Sequence, residues 1–187
     1  MEGADGWRAV ETVRLFAPHL DAEAEAKKLE QAEIEDTADL RQVDGAAALL
    51  AALPSDSWAV VTSGTRSLAT SRLRHTGLPT PQVLVGAEDV EKGKPDPECY
   101  LKGAQLLEAS AERCVVFEDT PTGIQAAQSA GMKAVAVATT HRASELSDAD
   151  TLVRTLVDMH FKVRNAAGSD ELRLELLVKN QAHENER

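Results

Sequence analysis

An α/β fold built on a parallel sheet is predicted from three features of this sequence. From Trp58 onward short apolar runs alternate with helical segments, glycines fall where those helices should end, and polar residues cluster just after the apolar runs. Strands alternating with helices of this length need helical crossovers, and crossovers make neighbouring strands parallel. Ligands in such sheets bind beyond the C-terminal strand ends. The residues after each apolar run therefore carry the functional information.

Before Trp58 the chain reads as helix. Val10, Val13, Leu15 and Phe16 are expected to form one apolar face ended by Pro18, and Asp21 is placed to cap a second, highly charged helix reaching about Arg41. Gly45 opens an Ala/Leu-rich helix that stops at Pro54. The alternation then runs Trp58–Thr62 (strand), Ser67–His75 (helix), Gln82–Val85 (strand) and Pro97–Glu108 (helix). It continues with Cys114–Phe117 (strand), Pro121–Ala130 (helix) and Ala134–Ala138 (strand), with Gly77 and Gly131 at helix C-cap positions. Phe161–Arg164 and Leu172–Leu176 alternate apolar and charged residues around a turn at Asn165–Glu171, which predicts a hairpin; the residues after Lys179 are polar and expected to fray. The expected divisions are 1–53, 54–158 and 159–187.

Composition narrows the partners without choosing a chemistry. A chain of 187 residues can bury one substantial core, and 43% hydrophobic content suits a globular protein. The formal net charge of -11 disfavours nucleic acid and anionic membrane, although a small anionic substrate remains open if local cations or a metal offset the charge. Cys99 and Cys114 are far apart and read as reduced thiols. With no long apolar run and an acidic N-terminus, the expected location is the cytoplasm. A monomer is expected.

Three strand ends carry chemistry. After Val60-Val61, Thr62 supplies a hydroxyl, and the backbone N–H groups near Ser63 and Gly64 open a helix, which makes an anion-binding corner. Taken alone it equally describes an ordinary N-cap. In Glu91-Lys92-Gly93-Lys94-Pro95-Asp96-Pro97 the prolines stiffen a loop that aims Lys94, an ammonium able to neutralise phosphate. Such a lysine is also commonly just solvated. After Val115-Val116-Phe117, Glu118 and Asp119 place adjacent carboxylates at a buried strand end, and hard oxygen ligands of that kind suit Mg²⁺. A solvated turn is the plainer alternative. Together, in the order hydroxyl, lysine, acidic pair, the three are far more specific than any one.

On these motifs, and on Asp5-Gly6-Trp7-Arg8, Phe16-Ala17-Pro18 and Ala138-Thr139-Thr140, the chain resembles the haloacid-dehalogenase superfamily of phosphatases. Its capped sugar and polyol phosphatases, in the fungal glycerol-1-phosphatase and 2-deoxyglucose-6-phosphatase branch, are the nearest in pattern. The resemblance implies a Rossmann-like core, a partial helical cap at the start, and a small phosphorylated sugar or polyol as substrate. It also implies phosphate binding by Thr62 and Lys94, Mg²⁺ ligation by Asp119 with Glu118 beside it, and a cap position for Arg8 near the substrate.

One part of the family pattern has no counterpart. The family's nucleophile is an aspartate in an Asp-x-Asp-Gly-Thr motif that ends a first, central strand lying between the strands that finish at Thr62 and Glu118. Gly3-Ala4-Asp5-Gly6 puts glycine at the nucleophile's place, and Asp148-Ala149-Asp150-Thr151 matches a late strand instead. The expectation is an N-terminally truncated phosphatase without turnover, or else a non-catalytic phosphate- or metal-binding pseudoenzyme.

Overall fold

The computed structural model describes residues 6–165 and 172–178. Helices α1 (Ala9–Phe16), α2 (Ala22–Glu35) and α3 (Ala46–Ala52) precede β1 (Ala59–Val61), α4 (Arg66–Thr76) and β2 (Val83–Val85). Then come α5 (Glu98–Leu106), β3 (Val115–Glu118), α6 (Pro121–Ser129), β4 (Lys133–Val137) and β5 (Thr151–Val153), followed by β6 (Met159–Asn165) and β7 (Leu172–Val178). The expected turn around Asn165–Glu171 lies mostly outside the described residues, as do residues 1–5 and the tail from Lys179.

Strands β1 to β5 are parallel, and they form two separate ladders. β1 pairs with β2 (Ala59 opposite Val83), while β3 pairs with β4 and β4 with β5. Among the described residues β1 and β3 each keep one edge without a ladder partner. A groove of about 700 Å³ runs between them, walled by Val60 and Val61 on one side and Val115 and Val116 on the other. Leu49 of α3, Leu53 just after it, and Tyr100 and Ala104 of α5 also line it.

Both faces of the larger ladder are covered, and side-chain alternation shows how. Val116, Ala134 and Ala136 point into a cluster with Cys99, Ile124 and Ala127, beneath α5 and α6. Their neighbours Val135 and Val137 point the other way, with Phe117 alongside, into a cluster with Leu49, Val153 and Met159. A parallel sheet needs such double cover, which explains why its strands read as continuous apolar runs. The β6–β7 hairpin is antiparallel, Phe161 opposite Leu176, and the Phe161 ring meets Phe117 edge-on at 6.5 Å. Ile124 is 1% exposed at the centre of the first cluster. Ile124→Ala should cost about 2–5 kcal/mol in a urea melt; a loss below about 1 kcal/mol would show that α6 packs loosely.

Two local expectations need correction. Val10, Val13, Leu15 and Phe16 do not share a buried face: Val13 is buried, while Leu15 and Phe16 are 55% and 49% exposed. At about 100° per residue, positions 13 and 15 lie on opposite sides of a helix. The second helix stops at Glu35 and not near Arg41, because Asp36 turns extended (φ -86, ψ 93) and Leu40 N–H closes a turn on Thr37. Asp21 does cap that helix, accepting from Glu23 and Ala24 N–H, and Gly77 and Gly131 do adopt left-handed conformations at helix ends.

Candidate active site

The C-terminal ends of β1 and β3 are brought together by the residues that follow them. Thr62 N–H donates to Val85 O at 2.9 Å, completing the ladder, and its Oγ1 accepts from Gly64 N–H at 3.1 Å. That hydroxyl still has its own proton to donate. Thr65 caps α4, accepting from Leu68 N–H at 3.2 Å. Ser63 Oγ donates to Gly6 O, and Gly6 lies so near Thr120 and Thr122 that a Cβ there would overlap their hydroxyls. The Gly6 backbone thus links the Thr62-Ser63-Gly64 corner to the loop after β3.

Lys94 and Glu118 form the buried centre of the site. Each is 8% exposed, and Lys94 Nζ donates directly to Glu118 Oε1. The same oxygen accepts from Tyr100 OH at 2.7 Å. Glu118 Oε2 accepts from Asp119 N–H (2.9 Å), Thr120 N–H (3.0 Å) and Thr120 Oγ1 (2.9 Å). Burial alone would raise the Glu118 pKa, but the Lys94 charge and these donors outweigh it and lower it to about 2. Tyr100 moves the other way: burial first, then the Glu118 charge, raise its pKa well above 10.0, so it remains a donor. Lys94 Nζ also lies 4.9 Å from the Tyr100 ring centroid, a cation–π contact.

Asp119 differs from its neighbour. It is half-buried, and its Oδ2 accepts from Thr140 Oγ1 at 2.8 Å. His141 stands beside Thr140, with Nδ1 3.1 Å from Oγ1. Magnesium binding can be tested on this geometry. Among the described residues no three His, Cys, Asp or Glu side chains converge. Mg²⁺ keeps several waters and takes only one or two protein carboxylates, so Asp119 suits it as one ligand. Glu118, with both oxygens already engaged, suits the layer behind it.

Arg8 joins the helical start to the core. Its guanidinium donates to Val90 O (2.9 Å), Glu91 O (2.8 Å) and Glu11 Oε1 (2.5 Å). Glu11 in turn accepts from Gly93 N–H at 3.1 Å, next to Lys94. Burial raises the Glu11 pKa, but Arg8 and Gly93 together hold it below its ordinary value. The latch therefore anchors the lysine loop from the cap side.

Sequence reasoning named Thr62, Lys94, Glu118 and Asp119 but missed Tyr100, Thr120 and Gly123. Tyr100 is the chain's sole tyrosine, six positions after Lys94 on a proline-started helix, which was a usable signal. Gly123 carried a weaker one: it lies in the first turn of α6, where a Cβ would overlap the Glu118 carboxylate.

A family model described as haloacid dehalogenase-like hydrolase matches residues 1–131. The chain is 38% identical over 156 residues to hexitol phosphatase A of Escherichia coli, covering 81% of this chain and 72% of that protein. It is 40% identical over 146 residues to glycerol-1-phosphate phosphohydrolase 2 of Saccharomyces cerevisiae, covering 72% of this chain but 58% of that one. In fold it is similar to the crystal structure of β-phosphoglucomutase from Clostridium difficile, with TM-score 0.69 and 20% identity over 82% of this chain and 73% of that one.

Proposed function

The chain belongs to the haloacid dehalogenase-like hydrolases, and from that membership we propose that the whole protein is a Mg²⁺-dependent phosphomonoesterase of small sugar or polyol phosphates. The observation that carries the proposal is the buried Lys94–Glu118 pair with Asp119 beside it, joined through Gly6 to the Thr62-Ser63-Gly64 corner. Phosphoryl transfer depends mostly on positioning and charge neutralisation, and these groups supply both. Thr62 and Lys94 hold the phosphate oxygens. Glu118 fixes the Lys94 ammonium. Asp119 would hold Mg²⁺, which would supply charge neutralisation at the transferring group. The names of the Escherichia coli and yeast relatives point to polyol phosphates. Among the described residues no helix is long and apolar enough to cross a membrane.

The 187 residues by themselves favour a second reading: phosphate and Mg²⁺ binding without turnover. Attack on phosphorus through a phospho-carboxylate intermediate needs a carboxylate free to form the new bond. Glu118 is locked to Lys94, and Asp119 is assigned to the metal, so neither serves. Phosphate release from a panel of sugar and polyol phosphates separates the readings. We expect release from a version extended upstream with an apolar strand ending in Asp-x-Asp-Gly-Thr, and none from the 187 residues. In the extended version Lys94→Ala should lower kcat about 10²–10³-fold, and EDTA should abolish activity. Robust Mg²⁺-dependent release by the 187 residues would overturn the second reading, and full activity in EDTA would overturn the first.

A further inference from the structure

Between β2 and α5 the chain reaches Lys94 through residues 90–93, which belong to no helix or strand, so their backbone N–H groups need other partners. Three in a row go to carboxylates. Glu91 N–H donates to Glu98 Oε1 at 2.9 Å, Lys92 N–H to Glu98 Oε2 at 2.9 Å, and Gly93 N–H to Glu11 Oε1 at 3.1 Å. Gly93 O then accepts from Asp96 N–H at 3.0 Å, which turns the chain toward α5. Lys94 sits inside that turn.

Glu98 is the first residue of α5, yet its side chain is not spent on its own helix. Its N–H is covered by Asp96 Oδ1 at 3.0 Å. The carboxylate reaches back six and seven positions, one oxygen to each amide, and those two bonds hold its carboxyl below the ordinary range. A hold by both oxygens fixes orientation as well as distance. Both bonds lie at the surface, where water would satisfy the amides nearly as well, so they direct the chain more than they stabilise it. Behind Glu98, α5 is rooted by the buried Cys99 and Tyr100, and Tyr100 OH donates to Glu118 at 2.7 Å. One helix thus holds both the backbone leading into Lys94 and the carboxylate that receives its ammonium.

Resting on the phosphate-binding reading of Lys94, we propose that Glu98 is a positioning residue for that ammonium, acting through the backbone of residues 91–93. A lysine carries its charge on a flexible four-carbon stem. Its head can meet Glu118 and a phosphate oxygen together only if the backbone beneath it is held. Glutamine is the informative replacement. It keeps the size of Glu98 but has one oxygen where two N–H groups wait, and its amide nitrogen sets a donor against a donor. The chain before Lys94 then loses one of its two holds from α5.

Binding needs no turnover, so the 187-residue chain suffices for the test. Inorganic phosphate would be titrated calorimetrically in Mg²⁺ buffer against the chain itself, Glu98→Gln, Lys94→Met and the double variant. Glu98→Gln should weaken phosphate about tenfold, the scale of one charge-assisted hydrogen bond, and leave the melting temperature nearly unaltered. In the Lys94→Met background the same change should alter affinity less than about twofold, since no ammonium remains to be placed. A second readout does not depend on how well Lys94→Met folds. Lys94 is the one buried lysine among the described residues, so in protein carrying isotope-labelled lysine its ammonium should give a slowly exchanging magnetic-resonance signal. Glu98→Gln should shift that signal and quicken its exchange. A phosphate affinity unchanged by Glu98→Gln, an equal loss with and without Lys94, or an unmoved ammonium signal would overturn the positioning role and leave the contact of Lys94 with phosphate standing. Failure of the unsubstituted chain to bind phosphate would overturn both.

Discussion

Lys94→Met should destabilise the protein by about 3–5 kcal/mol, the largest effect expected of any polar substitution in this chain. The size follows from what remains behind. Glu118 would still be buried with its three donors from Asp119 and Thr120, but the ammonium that offsets its charge would be gone. Tyr100 cannot replace it, since a phenol brings a hydrogen bond without a charge. Glu118→Gln should cost a similar amount by stranding the ammonium, for which the Tyr100 ring provides only a weak partner. The double substitution should cost clearly less than the two singles summed, because it leaves no buried charge unpaired. Urea melts of the four proteins give the coupling. Single losses under about 1 kcal/mol would mean that water reaches the pair and that Lys94 is not held in place for phosphate.

The sequence made the strand ends legible because polarity changes there abruptly. Apolar runs stop at Thr62 and Glu118, and the proline-framed loop singles out Lys94. These positions are fixed by backbone requirements that leave a local mark. What each side chain touches was not legible. Lys94 and Glu118 are 24 positions apart, and nothing local distinguishes a lysine aimed at substrate from one bonded to a carboxylate. Glu118 and Asp119 look equivalent in the sequence, yet Glu118 ends β3 on its buried side and Asp119, just past the strand, is half-exposed. The same limit explains Arg8. As a cap residue it was expected near substrate, and its guanidinium is bonded to carbonyls of residues 90 and 91, contacts that only the docked cap creates. For α1, adjacency of apolar residues was mistaken for a shared face. For α2, the charged stretch was read as a helix running on to about Arg41 where it stops at Glu35, and its bonds to Thr65 and Arg72 lie far away in the chain.

Gly123→Ala offers a test in which the sign alone decides. Gly123 is the third residue of α6, and its N–H is capped by Thr120 Oγ1 at 3.1 Å. In a helix, replacing glycine with alanine ordinarily stabilises by about 1 kcal/mol. Here a methyl group would overlap the Glu118 carboxylate, touching its carbon and both oxygens. The carboxylate has nowhere to move without breaking its bonds to Lys94, Tyr100 or Thr120, and α6 cannot retreat because Ile124 and Ala127 are locked into the core. We therefore expect a net loss of about 2–4 kcal/mol, combining overpacking with weakened hydrogen bonds to a buried charge. Phosphate affinity should fall along with stability, because Lys94 loses its fixed partner. Gly131→Ala serves as the control: its φ of 75° costs something on substitution, but no atom lies within 4 Å of the added methyl, so phosphate affinity should stay unchanged. If Gly123→Ala instead raised the melting temperature, helix propensity would have won, and the close approach of α6 to Glu118 would have to be abandoned.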